Sequence, residues 1–206
     1  NRSDGTYSDD TGSATTILTT CTLSGNSADL AGGGIYSYAG SGLTLGGATL
    51  LGQATANLTS CTLSANSAAI SGGGIHNWGE QGSATLSLEN TILARNTAPD
   101  GPDLKELGTS AEASTTLRGV NLLSNTSGNN GLSPAAALIV AADPKLAPLG
   151  SYGGSTQTMP LLPGSPAIEG GLLLATTPPT DQHGNPRPSG PLPDIGAVEA
   201  LPISLL

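Results

Sequence analysis

Through the first two-thirds of the chain, apolar and small polar side chains alternate in short bursts, each closed by an asparagine. Leu58-Thr-Ser-Cys61-Thr62-Leu63-Ser64-Ala-Asn66 shows the pattern. Successive side chains of an extended strand take opposite faces, so Cys61 and Leu63 are expected to point inward and Thr62 and Ser64 toward solvent. Ile75 and the alternating Leu86 and Leu88 supply further inward positions. Cys21-Thr-Leu23-Ser-Gly-Asn26-Ser-Ala28 recurs as Cys61-Thr-Leu63-Ser-Ala-Asn66-Ser-Ala68, and each copy leads into Gly-Gly-Gly-Ile, at Gly32 to Ile35 and Gly72 to Ile75. Two degenerate copies follow, Leu88 to Asn96 and Leu117 to Asn125.

Repetition in a fixed order implies one supersecondary unit stacked on copies of itself. The marking asparagines are separated by 40, 30 and 29 residues. A period near 30 suits one coil of three short strands and their turns. The longer first interval carries an insert of about ten residues between Tyr38 and Thr55, read as an outward hairpin or loop. Each strand must pair with its own equivalent one coil later, which demands parallel alignment, and parallel crossovers run right-handed. The fold class expected is therefore all-β: a right-handed parallel β-helix of about four coils. Stacking at about 4.8 Å would set Asn26, Asn66, Asn96 and Asn125 in one ladder, amide to amide, at a corner needing left-handed or bridge backbone. The glycine triplets mark bends where side chains would collide between layers.

Beyond Asn125 the pattern dissolves and proline gathers, from Pro134 to Pro193. Proline cannot donate to a central ladder. The chain thus divides into a polar lead, 1–16, also a candidate intersubunit segment; coils, 17–133; and an irregular Pro- and Gly-rich cap and tail, 134–206. Ala135 to Ala142 is expected to form a short helix or strand. Leu161, Leu162, Ile168, Ile195 and Val198 would serve as apolar pegs laying the cap against the last coil, whose free backbone groups need cover.

Composition narrows the functions. Aromatics make up 2% of the 206 residues and Phe is missing, so the interior must be aliphatic. Six basic residues face fifteen acidic ones, a net charge of −9. That balance argues against nucleic acid and anionic lipid as partners. No apolar run approaches the roughly 20 residues of a membrane span. The only Met is Met159, and the chain is read as remaining after a leader is removed in secretion, or as a piece of something longer.

The repeats, Leu-x-x-Asn-Ser-Ala followed by Gly-Gly-Gly-Ile, resemble those of polymorphic outer-membrane proteins, which carry Phe where Leu23 and Leu63 stand here. Leu161-Leu-Pro-Gly-Ser-Pro-Ala-Ile168, Asp181-Gln-His-Gly-Asn-Pro-Arg-Pro188 and Asp194-Ile-Gly-Ala-Val-Glu199 resemble the C-terminal signature of bacterial choice-of-anchor Q surface proteins. The resemblance implies a secreted, right-handed β-helical protein of the cell surface and implies no particular activity. This chain is shorter than that family's usual members.

The candidate chemistry is thin. A glycosidase needs two carboxylates about 5–9.5 Å apart, and a lyase needs calcium-binding acids with a base. Asp100 and Asp103 read as a turn before a metal loop, and Asp9-Asp10 as solvated. Asp181, His183 and Arg187 read as pins of the cap that bond bare backbone groups. Cys21 and Cys61 hold equivalent places on adjacent coils and admit either a disulfide or a reduced, stacked pair. Tyr36, Tyr38 and Trp78 are candidates for glycan contact, with His76 beside Trp78 as a ring that packs a loop or stacks a sugar. Asn1-Arg-Ser3, Asn57-Leu-Thr59 and Asn125-Thr-Ser127 match the glycosylation acceptor pattern. The leading expectation is a non-catalytic extracellular structural protein, without cofactor or metal, that joins copies of itself head to tail through both termini. Its alternatives are a carbohydrate-active β-helix and a glycan-binding adhesin.

Overall fold

A computed structural model describes residues 2–3, 12–45, 48–109, 111–127, 138–140 and 143–200. The expectations on Asp9-Asp10, on the Asn1 acceptor and on the Leu201 to Leu206 tail lie outside the described residues. So do the flanks of Ala135 to Ala142, of which Leu138–Val140 is strand.

The described residues hold strands and no helix, hence no helix long and apolar enough to cross a membrane. After β1 (Arg2–Ser3), the first repeat comprises β2 (Ser13–Thr19), β3 (Thr22–Ser24), β4 (Ser27–Ala28) and β5 (Ile35–Ala39). Next come β6 (Ser41–Leu45) and β7 (Ala48–Leu51). The second repeat is β8 (Gln53–Thr59), β9 (Thr62–Ser64), β10 (Ser67–Ala68) and β11 (Ile75–Gly79). The third is β12 (Ser83–Glu89), β13 (Ile92–Ala94) and β14 (Leu104–Leu107). The fourth supplies β15 (Ala113–Arg118) and β16 (Asn121–Leu123), and β17 (Leu138–Val140) follows.

Each strand pairs with its equivalent in the next repeat, always parallel. The three main sheets run β1-β5-β11-β14, β15-β12-β8-β2 and β17-β16-β13-β9-β3, with β4 and β10 as a short extra pair. The insert is the antiparallel hairpin β6–β7. One boundary shifts from the expected one, and part of the polar lead has a partner in its own chain. The first repeat opens at Ser13, because Ser13 to Thr19 pair in register with Gln53 to Thr59, and Arg2–Ser3 extend the sheet edge of the chain's own β5.

Register builds aliphatic columns between the sheets: Leu23, Leu63, Leu93 and Leu123; Leu18, Leu58, Leu88 and Leu117; Ile35, Ile75 and Leu104. Leu63, Leu93 and Leu123 are fully enclosed, each stabilising the stack by about 1.5–3 kcal/mol over an exposed side chain. Ser37, Asn77 and Glu106 form one polar column inside this core, at 0, 0 and 6% exposure. Asn77 Nδ2 donates to the Ala84 and Ser114 carbonyls, and burial pushes the Glu106 carboxyl up.

The outward face of the third sheet departs from expectation. Thr62 and Ser64 are buried, not solvent-facing. Their outward neighbours in later repeats are Ile92 and Leu122 for Thr62, and Ala94 for Ser64. An apolar outer face needs cover, and residues 143–200 supply it along the flank. Ile92, Ala94 and Leu122 pack with Leu146, Met159, Ala167 and Ile195. Ala197 N donates to Thr62 Oγ1 at 3.0 Å, and Thr22 Oγ1 to Gln182 Oε1 at 2.6 Å. Of the expected pegs, Ile195 and Val198 are buried and Leu161 partly so, while Leu162 stands exposed.

Candidate functional site

Gly72 turns the chain with φ of +63° and delivers it to β11 with Ile75 pointing inward. Alternation then sends His76 outward, Asn77 inward and Trp78 outward. The same frame in β5 puts Tyr36 beside His76 and Tyr38 beside Trp78. Four rings therefore share one sheet face in a two-by-two block. Centroids lie 5.0 Å apart for Tyr38–Trp78, 5.4 Å for Tyr36–His76, 6.0 Å for Tyr36–Tyr38 and 6.3 Å for His76–Trp78. The third repeat extends the block with Lys105 next to His76 and Leu107 next to Trp78.

The block is held from below and from its rim. Tyr38 Oη donates to Glu80 Oε2 at 2.6 Å. Gly40 lies under the Tyr38 ring, where a Cβ would come within 2.6 Å of the hydroxyl. Lys105 Nζ pairs with Asp100 Oδ2 at 2.8 Å. His76 is 3% exposed, so its ring is a packing element and not one offered to a sugar. Ser71 Oγ lies 2.9 Å from His76 Nδ1. Burial first, and the Lys105 charge second, hold the imidazole down to about 4 and so neutral at physiological pH. Tyr36, Tyr38 and Trp78 are partly buried, and Arg2 of β1 stands in register beside Tyr38.

No protein-family model, curated protein or solved structure matches the chain. Its chemistry rests on geometry alone.

The asparagine column has three amides and a different fourth member. Asn26 and Asn66 each donate from backbone N and Nδ2 to the Oδ1 of the next asparagine, at 2.9–3.1 Å. Asn66 Nδ2 also reaches the Leu23 carbonyl, and Asn96 Nδ2 the Leu63 carbonyl. Asn125 leaves the column: its Oδ1 accepts from Ser127 N and Oγ at the surface. Asp103 takes its place, accepting from Asn96 Nδ2 on one oxygen and from Ser124 Oγ and Asn125 N on the other. Burial raises its carboxyl. The left-handed residue of this corner precedes the asparagine, being Gly25, Ala65 and Arg95 at φ of +71°, +58° and +58°.

The remaining candidates serve structure. Asp181 Oδ1 accepts from His183 N and Asn185 N, and its Oδ2 from Glu199 N. Arg187 donates to the Gly196 carbonyl and pairs with Glu199 at 3.1 Å, both side chains fully enclosed. His183 Nε2 lies 2.7 Å from Thr158 Oγ1. A groove of about 680 Å³ runs past Tyr152, Ile168, Glu169, His183 and Asp194. Asp194 is committed there too, accepting from Glu169 N and Ala200 N. Among the described residues no three His, Cys, Asp or Glu gather to hold a metal. Cys21 and Cys61 are free thiols on adjacent repeats.

The sequence reading passed over Glu80 and Lys105. Aligning Gly72-Gly-Gly-Ile-His-Asn-Trp78 with Gly101-Pro-Asp-Leu-Lys-Glu-Leu107 would have found Lys105. Glu80 had no local signal, because its partner Tyr38 is 42 residues away.

Proposed function

We propose that the chain is a non-catalytic extracellular recognition module, a right-handed parallel β-helix that lays its aromatic face against glycan. One observation carries this reading. Three partly buried rings, Tyr36, Tyr38 and Trp78, stand in register on adjacent strands, beside Gly40, Glu80 and the buried His76. The C–H face of a pyranose is apolar and electron-poor, which suits the electron-rich face of an aromatic ring. Rings pre-set on a sheet lose little conformational freedom on binding. Glu80, Asp100 and Lys105 at the rim offer hydrogen bonds to sugar hydroxyls. The resemblance to secreted surface proteins agrees with a glycan-rich setting.

Glycan arrays probed with the full chain test the reading, followed by calorimetric titrations of parent and variant. Trp78→Ala should weaken the best hit about thirtyfold, equivalent to about 2 kcal/mol. If no glycan saturates the protein, or the variant binds as well as the parent, the proposal fails.

Self-association is the second reading, favoured by the outermost strands. Among the described residues β14 and β15 have one neighbour each, and a one-sided strand can receive another chain. Sedimentation at rising concentration and electron microscopy decide it: particles that stay monomeric rule it out.

A further inference from the structure

Cys21 and Cys61 directly precede β3 and β9, whose residues pair in register from Thr22↔Thr62 onward. The link Thr62 N→Cys21 O, at 2.8 Å, fixes the two cysteines side by side. Neighbouring strands lie about 4.8 Å apart, inside the Cα range of about 4.4–6.8 Å that a disulfide spans. The same column continues with Thr91 and Asn121, and there the side chains bond the stack. Thr91 Oγ1 accepts from Cys61 N and donates to the Glu89 carbonyl, and Asn121 Oδ1 accepts from Thr91 N. Thiols bond weakly, so a threonine would serve the first two repeats better if bonding were the only task.

The pair is also unequal. Cys61 is fully enclosed, while Cys21 is partly exposed. Cys21 Sγ donates to the Thr19 carbonyl at 3.1 Å and Cys61 Sγ to the Thr59 carbonyl at 3.4 Å. The neighbouring Cys61 thiol holds Cys21 below its ordinary value, while the Cys21 contact and burial push Cys61 up. A partly exposed thiol that ionises easily attacks, and an enclosed one beside it resolves.

We infer that Cys21 and Cys61 form a thiol–disulfide exchange site for small-molecule disulfides of the glutathione type, with Cys21 attacking and Cys61 resolving. The Cys21 thiolate attacks one sulfur of the disulfide. The S–S bond breaks, one thiolate leaves, and Cys21 carries the other half as a mixed disulfide. Cys61 then releases its proton to the departed thiolate and attacks the Cys21 sulfur, expelling the second thiolate. The two cysteines are oxidised to a Cys21–Cys61 bond and the small disulfide is reduced to two thiols. The product ties the first repeat to the second across the β6–β7 hairpin.

The reduced full chain is incubated without oxygen with excess glutathione disulfide and followed by intact mass. Wild type should become lighter by two hydrogens, without a lasting adduct and without change in native size. Cys61→Ser should accumulate one glutathione, mapped to Cys21, whereas Cys21→Ser should react at least tenfold more slowly. Cys61→Thr reproduces the Thr91 chemistry and should match Cys61→Ser, which guards against misfolding of the serine variant. Equal rates for the two serine variants, a wild type that keeps both thiols, a stable adduct on wild type, or a cross-linked dimer would each overturn the proposal.

Discussion

The repeats and the flanking wrap solve the same problem with different chemistry. In the stack, each backbone group meets its equivalent one repeat away, and the corner is finished by neutral amides such as Asn66 and Asn96. Residues 143–200 contain no long strand, so their N–H groups have no ladder to join. Many meet backbone carbonyls in turns and isolated bridges, and others turn to carboxylates: Asp181 accepts three backbone N–H groups, Asp194 two, and Glu199 those of Ser189 and Asp194. Arg187 balances the buried charge from the centre. Regular backbone can thus be satisfied by neutral groups, while irregular backbone gathers acceptors strong enough to bond several donors at once.

The contrast predicts where each half breaks. Arg187→Met should have the largest effect. It strands the enclosed Glu199 without its cation and should cost about 3–5 kcal/mol, read as a lower urea midpoint with lost exchange protection in β13 and β16. If the wrap stays protected, the charge network is not its anchor.

Asn66→Ala should cost about 2–4 kcal/mol, because the Asn26 amide and the Leu23 carbonyl both lose a buried partner. Its damage should centre on the first two repeats and spare the wrap. A uniform loss across both halves would contradict this division.

One group in each half pulls stability against pH in opposite senses, although the buried Asp103 and Glu106 of the stack share the sign of Asp194. Asp194 lies in the wrap with its carboxyl raised to about 6, chiefly by burial. Its stabilising share is complete below about pH 4 and is lost as pH rises through 6. His76 in the stack is lowered to about 4, so its share is complete above about pH 6.5 and is lost as pH falls through 4. Each amounts to on the order of 2 kcal/mol. Relative to the parent, Asp194→Asn should therefore make the slope of stability from pH 4 to 7 more positive, and His76→Gln should make it more negative. Denaturant titrations at both ends of that window compare the slopes.

The smallest effect belongs to the corner. Ala65 has φ of +58° where the first repeat has Gly25. Ala65→Gly should stabilise the stack by about 1 kcal/mol through relief of the left-handed backbone. A lower melting temperature would show the corner is not strained.

The stack was legible because its information is local and repeated. Asn66, Leu63 and the glycine triplets recur at one offset, and the insert could be placed by subtraction. The wrap was not, since alternation says which side chains point outward but not what lies there. Thr62 and Ser64 looked like solvent positions; the hint was Ile92 and Leu122 on the same parity. Asn125 was misplaced because Asp103, the residue that displaces it, precedes it by 22 positions. The rings were legible one by one, but their grouping required the β5–β11 register.

Asp103 stands in the register of Gly34 and Gly74, the positions that leave room for the next asparagine amide. Its carboxyl accepts from Asn96 on one side and from Ser124 and Asn125 on the other, so the column of amides ends there. Residues 53–82 form a block whose two junctions face the same neighbours, as Gln53↔Ser83 shows. Duplicating that block should lengthen the molecule and its amide column together, whereas a copy spliced beyond Asp103 would add strands without extending the column of amides. One aspartate thus ends the amide column while β15, β16 and β17 carry the stack past it.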